Sequence, residues 1–188
     1  MVLLRTAAFL LVTLCVALCS AVAAGQPASP LHRLVDTAAQ RLATADSVAA
    51  AKWIDGGPIT DRHRADAVLD AVAADASARA IDQGYVRTVF ADQIDATEGI
   101  EYTRFGQWKF DPATAPRTAP DLSESRSQID TFNKIMVDEI AQQWNWLHAP
   151  NCTFDLDSAI GAVADARQLD PLYRRALSAA TRSYCRHS

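Results

Sequence analysis

Residues 85–108 read YVRTVFADQIDATEGIEYTRFGQW. At 3.6 residues per turn, Val86, Val89, Phe90, Ile94 and Ile100 fall on one face, which makes this stretch a single long amphipathic helix running from Tyr85 to about Trp108. A break near Asp82-Gln83-Gly84 precedes it. Upstream, segment 31–54 carries Leu34, Val35, Ala38, Leu42, Val48 and Ala49 at helical steps, and Gly56-Gly57-Pro58 stops it. Thr60 or Asp61 caps the next helix, whose stripe is Ala65, Val68, Leu69 and Val72.

Downstream, Pro112, Pro116 and Pro120 mark an extended connection. Asp121-Leu122-Ser123-Glu124 opens another helix, carried on by Ile129, Phe132, Met136, Ile140, Trp144 and Leu147 until Pro150. Two shorter helices follow at roughly 153–167 and 171–185, the second opened by Pro171. The expected fold is all-α, a single-domain bundle of about six helices.

Composition agrees. The chain has 188 residues, with 49% hydrophobic and 21% charged, which excludes a disordered or collagen-like polymer. Only 7 Gly and 8 Pro interrupt it. The net charge is −4, so no overall basic field attracts nucleic acid. Of the 18 basic residues 15 are Arg, the side chain whose rigid fork matches a carboxylate.

Residues 1–24 have the order of a cleaved export signal: Arg5 near the start, an apolar run from Ala7 to Leu18, then small residues through Ala23 and Ala24. That run is too short for a comfortable membrane span. Residues 25–188 are then the mature domain, secreted or periplasmic, with no membrane association once the signal is removed. Cys15 and Cys19 leave with the signal, and Cys152 and Cys185 remain. In an oxidising compartment a disulfide is the favoured reading. A zinc site using His148 and His187 beside the two cysteines is the competing one, although neither pair has finger spacing.

Polar residues on otherwise apolar helix faces are the candidates for chemistry. Arg41 and Lys52 lie 11 residues apart, near three full turns, and so project from one side of the first helix. Arg64 opens the second helix, Thr97 and Glu101 share a face of the third, and Arg126 opens the fourth. If these converge they form a positive pocket with one acid inside, suited to a small dianion. The competing reading is ordinary solvation: an Arg or Lys on a helix usually lays its stem on apolar surface with its head in water, and Thr97 bonds back to the preceding turn.

The blocks Arg41-Leu42-Ala43, Ala51-Lys52-Trp53, Asp61-Arg62-His63-Arg64, Thr97-Glu98-Gly99-Ile100-Glu101-Tyr102-Thr103-Arg104-Phe105 and Asp121-Leu122-Ser123-Glu124-Ser125-Arg126 occur in that order. With Asn151-Cys152 and Ser183-Tyr184-Cys185, they resemble the secreted chorismate mutases of the helical AroQ class, gamma subclass, most of all its exported mycobacterial members. The resemblance implies an isomerase that rearranges chorismate to prephenate, with no cofactor, no metal and no covalent intermediate, in a site built within one chain of a homodimer. It places Lys52 and Glu101 at the substrate's ether oxygen, Arg41 and Arg126 on its carboxylates, Thr97 as a hydroxyl contact and Arg64 in the substrate cradle. Ala65 and Val68 stand where relatives carry polar residues that meet the ring hydroxyl; Asp61 or a nearby carbonyl is the expected substitute. An isochorismate pyruvate lyase on the same scaffold and a non-enzymatic secreted helical binding protein are the alternatives.

Overall fold

The computed structural model describes residues 29–186. The expected signal segment and His187 lie outside that range. Among the described residues there is no strand. Eight α-helices run in chain order: α1 (His32–Leu42), α2 (Ala45–Asp55), α3 (Arg62–Ala78), α4 (Gln83–Phe110), α5 (Leu122–Gln142), α6 (Trp144–Leu147), α7 (Cys152–Ala166) and α8 (Pro171–Ala180). One short 3₁₀ turn, Pro112–Thr114, follows α4.

The all-α bundle stands, with two corrections to the count of about six. Segment 31–54 is not one helix. The Thr44 hydroxyl donates to the Arg41 carbonyl at 2.8 Å, and the Thr44 amide bonds the same carbonyl at 3.2 Å. That i−3 bond tightens the chain into a 3₁₀-like turn that separates α1 from α2. The expected fourth helix also ends early, at Gln142, and α6 is a separate single turn.

Four helices begin on an aspartate whose carboxylate accepts a first-turn amide: Asp61 from Arg64, Asp82 from Tyr85, Asp121 from Ser123 and Asp170 from Tyr173. Each satisfies an otherwise orphaned donor and sets its negative charge at the positive end of the helix. Because Asp82 caps α4, Gly84 lies inside its first turn and does not break it. Helix α2 ends with Gly56 in the left-handed region at φ 73°. Gly56→Ala is expected to lower stability by about 1 kcal/mol, since an L side chain is disfavoured there; denaturant titration reads the shift.

Helix α4 is the spine, 28 residues long, or about 42 Å at the helical rise. It packs against α1, α2, α3 and α8, and α1 also packs against α5, α7 and α8. The core is built from Leu34, Val35 and Leu42 of α1, Val86, Val89, Phe90 and Ile100 of α4, and Met136 and Ile140 of α5, with Val163 and Leu177 from the last two helices. Trp53 of α2 packs edge-on against Phe105 of α4 at 5.1 Å and Trp108 at 5.5 Å. Asp46 pairs with Arg104 at 2.7 Å. These contacts fix α2, and with it Lys52, against the C-terminal part of the spine.

Cys152 and Cys185 form a disulfide. It ties the start of α7 to the tail beyond α8, where the Arg186 amide also donates to the Leu147 carbonyl at 3.1 Å. The zinc alternative falls, because neither sulfur is left as a thiolate. His148 packs on Trp144 at 4.3 Å, with Nδ1 2.7 Å from the Trp144 carbonyl oxygen.

Candidate active site

One cleft, ≈ 640 Å³ with its open mouth included, receives side chains from α1 to α5. Arg41, Lys52, Arg64, Thr97, Glu101 and Arg126 all line it. Arg41 and Lys52 both line it, Arg41 from the last turn of α1 and Lys52 from α2 beyond the Ala43-Thr44 turn.

Arg41 stands in the last turn of α1 and is 3% exposed. Its Nε donates to Asn133 Oδ1 at 2.8 Å, and its Nη1 reaches Thr97 Oγ1 at 3.3 Å and the Gln93 carbonyl at 3.5 Å. No carboxylate pairs with it among the described residues. Burial lowers its pKa to about 10, so it stays charged at neutral pH. Thr97 also donates to the Gln93 carbonyl at 2.8 Å, the back-bond expected of a threonine within a helix.

Lys52 lies near the end of α2, where the chain turns back through Gly56 and Gly57. The return brings buried Ile59 under the ammonium, and Nζ donates to the Ile59 carbonyl at 2.7 Å and to Glu101 Oε2 at 2.8 Å. Glu101 is 2% exposed. Loss of solvent raises its pKa above the ordinary glutamate range, against the Lys52 hydrogen bond and charge, which lower it, and with Glu98 adding to the rise.

The other two cations are more open. Arg64 Nη2 donates to Asp130 Oδ1 at 2.7 Å across the gap from α3 to α5. Arg126, in the first turns of α5, is exposed and makes no ion pair among the described residues.

The pocket holds more acid than the sequence suggested. Asp61 and Glu98 line it beside Glu101. Asp61 caps α3 through the Arg64 amide, and Glu98 accepts from the Thr60 hydroxyl at 2.7 Å. Ala65 and Val68 face the cleft as expected, with Asp61 nearby as a polar group. Sequence reasoning missed Asn133 and Asp130. Asn133 had a signal, being a polar residue on the Ile129–Met136–Ile140 stripe of α5.

A buried guanidinium without a carboxylate, an ammonium–carboxyl pair in the same cleft and two more exposed Arg forks make a receptor for a small molecule with two carboxylates and a polar group between them. The likeness to known proteins agrees with that geometry. The family described as "Chorismate mutase type II" matches residues 32–102. The chain is 60% identical over 164 residues to the secreted chorismate mutase of Mycolicibacterium smegmatis, covering 87% of this chain and 91% of that protein. It is 50% identical over 157 residues to the secreted chorismate mutase of Mycobacterium tuberculosis, covering 84% and 79%. The crystal structure of the chorismate mutase from Burkholderia thailandensis superposes with a TM-score of 0.78 at 34% identity, covering 84% of this chain and 99% of that one. Identity of this extent over nearly whole chains, on a shared fold, means that the protein belongs to the chorismate mutase type II family of isomerases.

Proposed function

We propose that the cleft binds chorismate and catalyses its Claisen rearrangement to prephenate. The observation that carries this reading is Arg41, a buried cation with only neutral partners, facing the same cleft as the Lys52–Glu101 pair. Chorismate has two carboxylates and a vinyl ether. Arg41 and Arg126 take the carboxylates, Arg64 closes the cradle, and Thr97 adds a hydroxyl contact. Holding the folded conformer, with the enolpyruvyl carbon over the ring, removes much of the entropic barrier.

As the C–O bond breaks, negative charge grows on the ether oxygen. Lys52 and Glu101 are donors fixed in advance at that atom, so they stabilise the transition state more than the ground state. No bond to the protein forms. Asp61, beside Ala65 and Val68, serves the ring hydroxyl. The test is product identification: purified protein consumes chorismate and yields prephenate. Release of pyruvate from isochorismate, with chorismate untouched, would overturn the reading in favour of a lyase.

Glu101 donates a hydrogen bond only when protonated, because a carboxylate is acceptor-only. Its raised pKa extends the protonated form to higher pH, and a bound dianion raises it further. The expected kcat/KM therefore falls as pH rises through the Glu101 pKa. Glu101→Gln keeps a neutral donor of similar shape and flattens that limb; a limb of unchanged shape in the variant would contradict the role.

Export fits the same reading. The two mycobacterial relatives carry "secreted" in their names, and residues 1–24 have a leader's pattern. A homodimer in solution, as the family resemblance implies, completes the proposal.

A further inference from the structure

Among the groups that touch Arg41, Asn133 is the strongest hold and the least expected. It sits on the buried face of α5 and is 6% exposed. Its bond to Arg41 Nε is 2.8 Å, whereas the Nη1 contacts are 3.3 and 3.5 Å and so contribute less. The guanidinium has no acceptor atom, so the Asn133 oxygen, not its nitrogen, must face Nε.

The residue type is as informative as the distance. Buried cations are normally paired with a carboxylate, and aspartate has almost the same shape as asparagine. The other acceptors around Arg41 are also uncharged: the Thr97 hydroxyl and the Gln93 carbonyl. The protein thus holds a buried guanidinium entirely on neutral oxygens. A neutral oxygen orients the fork without cancelling its charge, whereas a carboxylate at 133 would compete with an incoming anion for it.

We propose that Asn133 is a positioning residue that fixes the Arg41 fork while leaving its charge available to a substrate carboxylate. This rests on the reading of the cleft as a dianion site, and it adds a reason for the amide: neutrality, over and above shape and hydrogen bonding.

The test is a pair of variants in the full chain, measured against wild type with chorismate. Turnover of chorismate by wild type is established first, so failure of the function and failure of this inference are read separately. Asn133→Asp is expected to keep a melting temperature no lower than wild type while raising KM about ten-fold or more, with kcat changed far less. A merely structural role predicts the same retained stability with wild-type KM, since aspartate accepts the Arg41 bond at least as well as asparagine. Wild-type KM in Asn133→Asp overturns the proposal. Asn133→Leu removes the acceptor without adding charge; with circular dichroism unchanged, kcat/KM is expected to fall about ten-fold or more as the fork loses its hold. Should the aspartate variant fail to fold, the leucine variant decides, and wild-type kcat/KM in it overturns the proposal.

Discussion

Lys52→Ala is expected to lower kcat for chorismate by about 10²–10³-fold, the cost typical of removing one preplaced donor from developing oxyanion charge. The ammonium sits on the Ile59 carbonyl and the Glu101 carboxyl at 2.7 and 2.8 Å, and on the proposed reading Arg126 is taken up by a substrate carboxylate. Arg64 is engaged with Asp130, and Arg41 is held by Asn133. The loss should appear mainly in kcat, because the carboxylate clamps remain. The residual activity carries a second signature. Lys52 lowers the Glu101 pKa through both hydrogen bond and charge; without it the pKa climbs further, Glu101 keeps its proton to higher pH, and the alkaline limb moves up. Continuous absorbance assays across pH, with far-UV circular dichroism to confirm the fold, measure both. A kcat within about three-fold of wild type would remove Lys52 from the transition state and leave the assignment of the ether-oxygen donors without its main member.

The helices were legible because burial on one face writes a 3.6-residue period into the sequence, and Val86, Val89, Phe90 and Ile100 of α4 are all fully buried. Helix starts were legible where a capping carboxylate or a proline at the first helical position marks them, as at Asp61, Asp121 and Pro171. The break between α1 and α2 was not, since Ala43 and Thr44 are both compatible with a continuing helix. It is made by a hydroxyl bonding its own backbone, a choice that tertiary packing settles. The break at Gln143 likewise has no Gly or Pro to announce it. In the site, resemblance and residue type nominated six positions that lie on five helices, but periodicity alone leaves each of them an ordinary solvated or back-bonded residue. Convergence is a property of helix packing, and a linear pattern carries no such information. Asn133 marks the same boundary: the sequence reading passed over it although it lies on an apolar stripe, and only the structure reveals that its partner lies 92 residues away.

Replacing both Cys152 and Cys185 by Ser is expected to cost about 3–4 kcal/mol of stability. The bridge spans 33 residues, so its loss returns the entropy of that open loop to the unfolded chain. The structural consequence is local. The tail that the bridge anchors places Arg186 3.2 Å from Asp82, the cap of α4, and 5.1 Å over the Tyr85 ring. Freed, that tail loosens its hold on the first turn of the spine. Thr97 and Glu101 lie three to four turns further along α4, and the other cleft residues come from α1, α2, α3 and α5. The cleft therefore keeps its shape in the folded fraction. The expected result is a fall in melting temperature of about 10 °C, with kcat/KM at 25 °C within two-fold of wild type; reducing wild-type protein with a thiol should give the same pair of changes. A stability loss below about 1 kcal/mol would mean that the α7–α8 loop is already ordered in the unfolded ensemble, and a large loss of kcat/KM at full folding would mean that the bridge shapes the cleft through α4 and is more than a clamp on its end.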